Sequence, residues 1–318
     1  MNREVFRSKN SEIEIKKGSP CFIVAEVGVN HNGSLKEALK YLDLVKDLKA
    51  DAVKFQLFET ESLVKRNTPR AKYQVNKKGK NDQFSLLKSL ELSQEEINQV
   101  FQKSKELNLN FICTPFDINS LNFLIDLKIP FLKLSSGDFD NIFFHKRIIE
   151  TKYPVILSTG MSGESEIKNI TSEYIKKKHT NFAILHCTSI YPAPPQSINL
   201  SFLSKLKKIS KAGAIGYSDH TSHEITGALA FSQGAQIIEK HLTFSNELEG
   251  PDHQASLNPE NFKTFISNIR YAQEVKGDKK KLLTKEEKEV RNVARKSLVF
   301  SKDLKKGTKI TLSDIDAM

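Results

Sequence analysis

Short apolar runs alternate eight times with segments of helical periodicity, and this alternation restricts the fold more than any other feature of the sequence. The runs cover residues 22–28, 51–58, 110–116, 131–136, 154–160, 182–189, 214–219 and 236–244. Amphipathic stretches lie between the runs, for example 35–49, 93–108 and 119–128, with Ser34 and Ser93 placed as helix N-caps. Eight strands that alternate with helices over about 250 residues predict an α/β protein with a (β/α)8 TIM barrel.

A doubly wound open sheet shows the same alternation and is the alternative fold. Such sheets have fewer strands in most cases, and no glycine-rich dinucleotide fingerprint follows the first apolar run. Residues 59–92, rich in Lys, Asn and Gln, interrupt the pattern. We expect them to form a long βα loop folded over the mouth of the barrel.

Length and composition narrow the class of protein. A chain of 318 residues accommodates one large domain and a small appendage. No apolar run approaches the ~20 residues of a membrane helix, and residues 1–18 are too charged for a secretory signal, so we expect a cytoplasmic protein without membrane contact. Cys21, Cys113 and Cys187 are odd in number and far apart, which indicates buried, reduced thiols rather than disulfides.

The charge balance favours an anionic partner. Lys and Arg number 49 against 38 Asp and Glu, which gives a formal net charge of +11. The surplus is scattered along the chain, and no basic motif is interleaved with aromatic residues. We therefore expect an anionic metabolite as the partner rather than a nucleic acid.

Polar residues at the ends of the predicted strands are the candidates for a functional site, because barrel active sites lie where the strand C-termini meet. Residues 214–241 form a βαβ unit, so His220 and His241 end two parallel neighbouring strands, where imidazoles can share a divalent metal. A lone histidine more often caps a strand or fills the rim of a core. The metal hypothesis is favoured by the polar residues that crowd the same strand ends: Ser218, Asp219, Glu239, Lys240 and Asp252.

Two lysines within apolar strands are equally informative. Burying Lys54 or Lys133 is costly unless the ammonium group reaches a cavity or an anion. The alternative is that these side chains extend to solvent or pair with a structural carboxylate. Together with Glu26 and the two histidines, the lysines predict a site for a small, multiply anionic substrate and a metal.

Eight sequence fragments, each at a predicted strand end, then show a family resemblance. They are AEVGVNHNGS (25–34), DAVKFQLFETESLV (51–64), CTPFD (113–117), LKLSSGD (132–138), PVILSTGMS (154–162), HCTSIYPAP (186–194), GYSDHT (216–221) and EKH with GPDHQAS (239–256). In this order they resemble the sialic acid synthase family, from about residue 20 to the C-terminus. Members of that family condense phosphoenolpyruvate with an N-acylated hexosamine to make nine-carbon nonulosonic acids. The resemblance implies a divalent metal, manganese first with magnesium or cobalt as alternatives, and a homodimer in which a C-terminal antifreeze-like domain caps the partner's active site.

The resemblance also implies roles for individual residues. Glu26, Lys54, Lys133 and His241 fall at catalytic positions, and His220 joins His241 as a metal ligand. The substrate-binding positions correspond to Gln56, Thr114, Ser136, Asp138, Ser189, Tyr191, Ser218 and Asp252. Among these, the hydroxyl and amide side chains at 56, 114, 136 and 218 resemble the phosphoenolpyruvate-binding set, and those at 191 and 252 the sugar-binding set.

The sequence departs from the family pattern in two places. Asp138 stands where the family has glutamate, so we expect its sugar contact to be lost or bridged by water. The resemblance divides the chain into a barrel over 1–275, a linker over 276–292 and a partial antifreeze-like segment over 293–318. That segment stops before the position at which the family supplies a substrate-binding arginine from the neighbouring subunit. We expect either a truncated chain or an activity without that arginine, with a looser choice of sugar.

Several functions remain open at this point. The leading one is a synthase that uses N-acetylmannosamine or a similar sugar, and the alternative within the family is a legionaminic or pseudaminic acid synthase that uses a diamino-trideoxy sugar. A metal-dependent barrel hydrolase would need more metal ligands than the sequence offers, and it would leave Lys54 and Lys133 unexplained. A non-catalytic protein that binds a sugar phosphate or nucleic acid is the third class.

Overall fold

In the computed structural model, eight parallel strands close into a barrel, which confirms the predicted (β/α)8 fold. The structure describes residues 5–10, 12–66, 68–69, 82–277 and 280–318. Its strands are β1 (Val5–Arg7), β2 (Glu14–Lys16), β3 (Phe22–Gly28), β4 (Ala52–Leu57), β5 (Asn110–Pro115), β6 (Phe131–Leu134), β7 (Val155–Ser158), β8 (Phe182–Cys187), β9 (Ala214–Asp219), β10 (Ile237–His241), β11 (Leu298–Phe300) and β12 (Ile315–Ala317). Strands β3 to β10 form the barrel in sequence order, and β10 pairs with β3 to close it.

The helices include at least one after each barrel strand, as the sequence pattern predicts, and others that the pattern does not predict. They are α1 (Leu35–Leu48), α2 (Thr60–Leu63), α3 (Gln83–Leu90), α4 (Gln94–Glu106), α5 (Ile118–Asp126), α6 (Ile142–Thr151), α7 (Glu164–Lys176), α8 (Phe202–Ser210), α9 (Thr226–Ser232), α10 (Pro259–Lys276) and α11 (Lys285–Ala294). Both predicted N-caps are confirmed: the Ser34 hydroxyl accepts a hydrogen bond from the backbone N–H of Glu37, and Ser93 forms a capping box with Glu96.

The two-residue periodicity of the strands arranges the barrel interior in layers. On β3, Phe22 and Val24 belong to the apolar cluster inside the barrel, whereas Glu26 lines a cavity at the C-terminal end. On β10, Ile237 likewise belongs to this apolar cluster, and Glu239 lines the cavity. A second, larger apolar cluster packs between the barrel and the surrounding helices. The change from apolar to polar inward-facing residues therefore places the site at the C-terminal ends of the strands.

A two-stranded hairpin covers the N-terminal end of the barrel, and the sequence pattern gives no prediction of it. Strands β1 and β2 pair antiparallel, and the ring of Phe6 stacks on that of Phe131 with 4.9 Å between centroids. Gly213 lies so close to the hairpin that a Cβ atom there would be 2.6 Å from the carbonyl oxygen of Val5. Phe6 and Ile15 of this hairpin thus belong to the apolar cluster that closes the interior opposite the cavity.

The segment 59–92 needs a correction, because it is not a loop throughout. Helices α2 and α3 occupy two parts of it, and Asp82 caps α3 by accepting a hydrogen bond from the backbone N–H of Ser85. Residue 67 and residues 70–81 lie outside the described residues. Short helices within a polar stretch give a weak periodic signal, which is why the sequence pattern indicates a loop here.

The chain divides into two compact units, residues 1–275 and residues 276–318. Within the second unit, α11 begins with a capping box between Thr284 and Glu287, and β11 pairs antiparallel with β12. All three cysteines are buried free thiols. No helix among the described residues has the length and apolar character needed to cross a membrane.

Candidate active site

The C-terminal end of the barrel contains a cavity of about 390 Å³. All of the predicted site residues except Asp138 line it. They are Glu26, Lys54, Gln56, Thr114, Lys133, Ser136, Ser189, Tyr191, Ser218, His220, His241 and Asp252. With Ser158 of β7, these residues represent all eight barrel strands or the loops that follow them. Their convergence is the arrangement by which barrel enzymes build active sites.

Lys54 bridges two carboxylates in the cavity wall. Its ammonium nitrogen lies 3.2 Å from Oε2 of Glu26 and 3.2 Å from Oε2 of Glu239, and all three side chains are buried. Burial disfavours the charged form of Lys54, but the two carboxylates outweigh burial and raise the pKa of the lysine. Lys54 is therefore a positive charge held in a fixed position.

Glu239 also holds the second buried lysine. The ammonium of Lys133 lies 3.9 Å from Oε1 of Glu239 and donates a hydrogen bond of 2.6 Å to the hydroxyl of Ser158. Burial, only partly opposed by Glu239, lowers the pKa of Lys133 to about 8. Burial acts to raise the pKa of Glu239, but Lys133 and Lys54 outweigh it and lower that pKa well below its ordinary value. Glu239 is therefore ionised, and it accepts a further hydrogen bond of 2.9 Å from Ser218.

The pKa of Glu26 is shifted in the opposite direction to that of Glu239. Burial raises the pKa of Glu26 to about 7, with Lys54 opposing and Glu239 adding to the shift. Oε1 of Glu26 accepts a hydrogen bond of 3.2 Å from the amide of Gln56. Gly28 has a φ of +55°, and a Cβ atom there would be 3.1 Å from the same oxygen, so glycine is needed beside this carboxyl group. A carboxyl group that exchanges its proton near neutral pH is suited to general acid–base work.

His220 and His241 end the neighbouring strands β9 and β10, and their ring centroids lie 5.7 Å apart. Nδ1 of His220 lies 2.8 Å from the carbonyl oxygen of Thr188, so this nitrogen carries a proton, and in the neutral ring Nε2 has the lone pair. Burial acts to lower the pKa of His220, but the contacts with Cys187 and Thr188 outweigh it and raise that pKa. Burial lowers the pKa of His241 well below its ordinary value, so its ring is neutral. Nδ1 of His241 is buried without a hydrogen-bond partner in the part of the chain that the structure describes.

These two imidazoles fit a divalent cation. Metal-bound histidines usually donate one ring N–H to a backbone carbonyl or a carboxylate, and the opposite ring nitrogen then binds the metal. A cation would also account for the buried, unpartnered Nδ1 of His241. Within the described residues no group of three or more His, Cys, Asp or Glu side chains could hold a metal ion. Water or substrate oxygens would therefore complete the coordination, which suits a catalytic rather than a structural cation.

Tyr191 and Asp252 lie beside the histidines. The ring centroids of Tyr191 and His220 are 4.1 Å apart, and Oδ2 of Asp252 is 4.0 Å from Nδ1 of His241. Burial raises the pKa of Asp252 to about 6, although His220 and Lys54 oppose the shift. The group adds an aromatic face and a second carboxyl group to the histidine side of the cavity.

Hydroxyl groups line the opposite side of the cavity. The backbone N–H of Gly160 donates a hydrogen bond of 3.0 Å to Ser136, and a Cβ atom on this glycine would lie 2.1 Å from the hydroxyl oxygen of Ser189. Only glycine leaves room for both serine hydroxyls here. Oγ1 of Thr114 is buried and has no hydrogen-bond partner among the described residues, which leaves it available to a ligand.

The structure does not bring Asp138 into this group. Its Oδ2 accepts a hydrogen bond of 2.8 Å from Ser135, and its Oδ1 accepts one of 3.1 Å from Asn141. These bonds hold the 3-10 turn that follows β6. The short aspartate side chain is thus engaged within its own turn and does not line the cavity, and the expectation that its sugar contact is lost or bridged by water stays a prediction.

Glu239 is the central residue that the predicted site set omits, although it holds both lysines. The sequence carries a signal for it, because position 239 is two residues before His241 and so faces the same side of the strand. Cys187 and Ser158 also line the cavity and are absent from the predicted set. The thiol of Cys187 lies 3.9 Å from Nδ1 of His220.

The predicted site residues also omit an apolar wall of the cavity. Its members are Val29, Leu87, Leu90 and Phe116, which belong to one apolar cluster. Two of these residues belong to α3, the helix that the sequence pattern does not predict. The wall gives one side of an otherwise charged cavity a surface suited to a methyl or acyl group.

Fold and cavity together define the class of this protein: a (β/α)8-barrel enzyme with a charged site at the C-terminal ends of its strands. Residues 41–281 match the NeuB family. The chain is 38% identical over 301 residues to the N,N'-diacetyllegionaminic acid synthase of Legionella pneumophila, which covers 93% of this chain and 84% of that protein. It therefore belongs to the NeuB family, and it is a condensing enzyme of nonulosonic acid synthesis.

Two further similarities agree with this assignment. The chain is 29% identical over 293 residues to the human N-acetylneuraminate-9-phosphate synthase, over 92% of this chain and 81% of that protein. The structure resembles the crystal structure of the N-acetylneuraminic acid synthetase from Leptospira borgpetersenii in complex with citrate, with a TM-score of 0.78 and 33% identity. That similarity covers 92% of this chain and 98% of the other.

Proposed function

We propose that this enzyme condenses phosphoenolpyruvate with an N-acylated six-carbon aldose, and that its sugar is a diacetamido-trideoxyhexose rather than N-acetylmannosamine. The observation that carries the reaction is the pair of buried lysines that share Glu239 in a cavity beside Glu26 and two histidines. This arrangement offers fixed positive charge to a multiply anionic substrate and a proton acceptor to the water that adds to C2.

Phosphoenolpyruvate binds to the lysine side of the cavity in this proposal. The ammonium groups of Lys54 and Lys133 face two carboxyl groups, Glu239 and Glu26. Because the pKa of Glu26 is raised to about 7, its negative charge is only partly present at neutral pH, and the cluster keeps positive charge for an anion. Thr114, Ser136 and the backbone around them supply hydrogen-bond donors for the phosphate and carboxylate oxygens. Burial of the lysines strengthens these contacts, because charges interact more strongly away from water.

The reaction then forms one carbon–carbon bond and one bond between a water oxygen and C2, and it breaks the bond between C2 and the phosphate oxygen. C3 of phosphoenolpyruvate attacks the aldehyde carbon of the sugar, whose oxygen takes up a proton to become a hydroxyl group. A bound divalent cation supplies electrophilic polarisation of that aldehyde. Water adds to the cationic C2 carbon, and Glu26 as carboxylate accepts a proton from it. Phosphate leaves from C2, and the C2 hydroxyl loses its proton to give the keto acid.

Two histidines, His220 and His241, would hold the cation, and manganese is the metal we propose. Water and substrate oxygens suit manganese and magnesium, whereas imidazole suits other divalent transition metals, so magnesium and cobalt are the alternatives. Asp252 and Tyr191 lie next to the histidines and would contact the sugar. A homodimer stays a prediction of the family resemblance, and sedimentation equilibrium would check it.

Two observations support the proposed sugar: the apolar wall of the cavity and the similarity to a legionaminic acid synthase. A trideoxy sugar ends in a methyl group, which gains from apolar contact, whereas the hydroxyl of N-acetylmannosamine or a phosphate would lose hydrogen bonds to water there. Leu87, Leu90 and Phe116 provide such a surface. The synthase of 38% identity is named for a product with two acetyl groups, which agrees with a diacetamido precursor.

The test is a phosphate-release assay with phosphoenolpyruvate, manganese and each sugar in turn. We expect phosphate release that depends on the sugar, with kcat/KM for the diacetamido-trideoxyhexose at least tenfold above that for N-acetylmannosamine. Mass spectrometry of the product should show the nine-carbon acid. Phosphate release without any sugar would instead indicate a hydrolase, and an equal or higher kcat/KM for N-acetylmannosamine would contradict the proposed sugar.

A further inference from the structure

Lys240 is a buried charged residue for which the reaction has no use. Its side chain is 0% exposed, and it is not part of the cavity lining. Side chains alternate along β10, so Glu239 and His241 face the cavity while Lys240 faces the surrounding helices. Its ammonium lies 5.8 Å from the ring centroid of Phe265 on α10, which places it in the layer between barrel and helices.

Asp219 is the partner of this lysine on the neighbouring strand. The two residues are Cα partners in the register of β9 and β10, and their side chains form an ion pair of 3.0 Å with both side chains fully buried. Each partner directly precedes one of the two histidines. The ion pair therefore joins the two strands at the last position before His220 and His241.

The same pair also holds the backbone on the far side of His220. Oδ1 of Asp219 accepts a hydrogen bond of 2.9 Å from the N–H of Thr221, which closes a turn around the histidine. The ammonium of Lys240 donates to the carbonyl oxygen of Thr221. One ammonium group thus contacts both neighbours of His220 and belongs to the residue next to His241.

Stability alone does not account for such a pair. Two buried charges lose much of their mutual attraction to the cost of leaving water, and apolar residues of similar volume are often as stable or more stable. Charge pairs and hydrogen bonds do, however, impose distances and directions that apolar contacts do not. Here the ion pair and its hydrogen bonds would fix the positions of the two histidines.

We propose that the Lys240–Asp219 pair is a positioning device that holds His220 and His241 at the separation and orientation a divalent cation requires. This inference rests on the metal site of the proposed function. Residues that orient metal ligands typically change metal affinity by 10- to 100-fold when they are removed. We expect the pair to act on cation affinity and to have little effect on the phosphoenolpyruvate contacts of Lys54 and Lys133.

The experiment titrates manganese into the full chain and follows free Mn²⁺ by electron paramagnetic resonance, alongside thermal unfolding. Lys240→Met leaves Asp219 without its counterion and releases Thr221, so we expect the manganese Kd to rise by about 10- to 100-fold. The double variant Lys240→Met with Asp219→Leu removes both charges and recovers stability. We expect its melting temperature to approach that of the wild type while its manganese affinity stays low.

A matched control uses the ion pair at the other end of the barrel. Arg270 lies 2.7 Å from Asp51, and it donates a further hydrogen bond to the carbonyl oxygen of Cys21. Arg270→Met should lower stability and leave the manganese Kd unchanged. The same affinity in the double variant and the wild type would overturn the positioning role. A wild-type protein that binds no manganese would overturn the metal site itself, and this inference with it.

Discussion

The ammonium nitrogen of Lys54 lies 3.2 Å from a carboxylate oxygen of Glu239, and each side chain is only 6% exposed. The other oxygen of Glu239 faces Lys133 at 3.9 Å. One carboxylate therefore fixes the spacing of two cationic groups before any substrate enters. Charges that are oriented in advance need no reorganisation when an anion binds, which is the main way in which enzymes stabilise developing charge.

The first prediction concerns these lysines. Lys54→Met and Lys133→Met keep most of the side-chain volume and remove the charge, so each should raise the KM for phosphoenolpyruvate by about 10- to 100-fold, the value of a charge-assisted hydrogen bond of about 1.5–3 kcal/mol. The KM for the sugar should change much less. Steady-state kinetics with each substrate varied would measure both. Lys205→Met, which removes a surface ion pair with Glu164, is the control and should behave as wild type.

Unchanged affinity for phosphoenolpyruvate in both lysine variants would contradict this assignment. The lysines would then serve only as partners of Glu239 and Glu26. A lysine buried to balance two carboxylates has a structural role, and its loss would lower the melting temperature without changing either KM.

Most of the barrel is predictable from the sequence because each strand is a compact apolar run with its polar residues at the C-terminal end. The hairpin that carries Phe6 is not predictable, since three-residue strands with only one or two apolar residues each have no periodic signal above that of a polar terminus. Helix α3 is missed for a related reason, because it lies in a stretch dominated by polar residues. Both elements depend on packing against the barrel, which local propensity does not describe.

The site is predictable in its residue types and less so in its pairings. The ends of the strands identify Glu26, the lysines and the histidines, but the sequence does not show that Glu239 binds both lysines, because that depends on the distances across the barrel. Asp138 shows that the position of a residue in a motif does not determine what its side chain contacts. Its motif position suggests a substrate contact, whereas the hydrogen bonds within its own turn decide where the carboxylate lies.

The second prediction concerns the histidines. His241→Ala removes a proposed metal ligand that lies at the rim of the barrel, so manganese affinity should fall at least tenfold and turnover should fall with it, while the circular dichroism spectrum stays unchanged. His220→Ala should behave in the same way. The exposed His223 provides the control, since His223→Ala should retain manganese binding and activity. Full activity in His241→Ala would exclude this residue as a metal ligand.

The third prediction is a bell-shaped dependence of kcat/KM for phosphoenolpyruvate on pH. Glu26 works as a carboxylate, and because its pKa is raised to about 7, activity should rise as the pH increases through 7. Lys133 works as an ammonium group, and because its pKa is lowered to about 8, activity should fall as the pH increases through 8. The substrate phosphate also ionises near pH 6, so variants are needed to assign the limbs.

Two variants assign the limbs of this profile. Glu26→Gln should be weakly active and should lose the limb near pH 7, leaving at most that of the substrate. Lys133→Met should lose the limb near pH 8. An acidic limb that persists near pH 7 in Glu26→Gln would show that another group is responsible, and Asp252, whose pKa is raised to about 6, would be examined next.

The fourth prediction concerns the hairpin and separates stability from catalysis. Phe6→Ala removes a fully buried ring that stacks on Phe131, so we expect a loss of about 3–5 kcal/mol in the free energy of unfolding. The cavity lies at the other end of the barrel, so both KM values should be unchanged at temperatures where the variant is folded. Urea denaturation and steady-state kinetics would test the two parts. Changed KM values would show that the hairpin influences the site through the barrel.

The fifth prediction concerns the apolar wall and the sugar. Leu87 on α3 lines the cavity, and Leu87→Asn replaces an apolar contact with a polar group of similar size. A lost contact of this kind typically lowers discrimination by about tenfold or more. We therefore expect the ratio of kcat/KM for the diacetamido-trideoxyhexose to that for N-acetylmannosamine to fall by about tenfold, with the KM for phosphoenolpyruvate unchanged. Leu86→Asn on the same helix is the control, because Leu86 does not line the cavity. An unchanged ratio in Leu87→Asn would show that the choice of sugar is made elsewhere in the site.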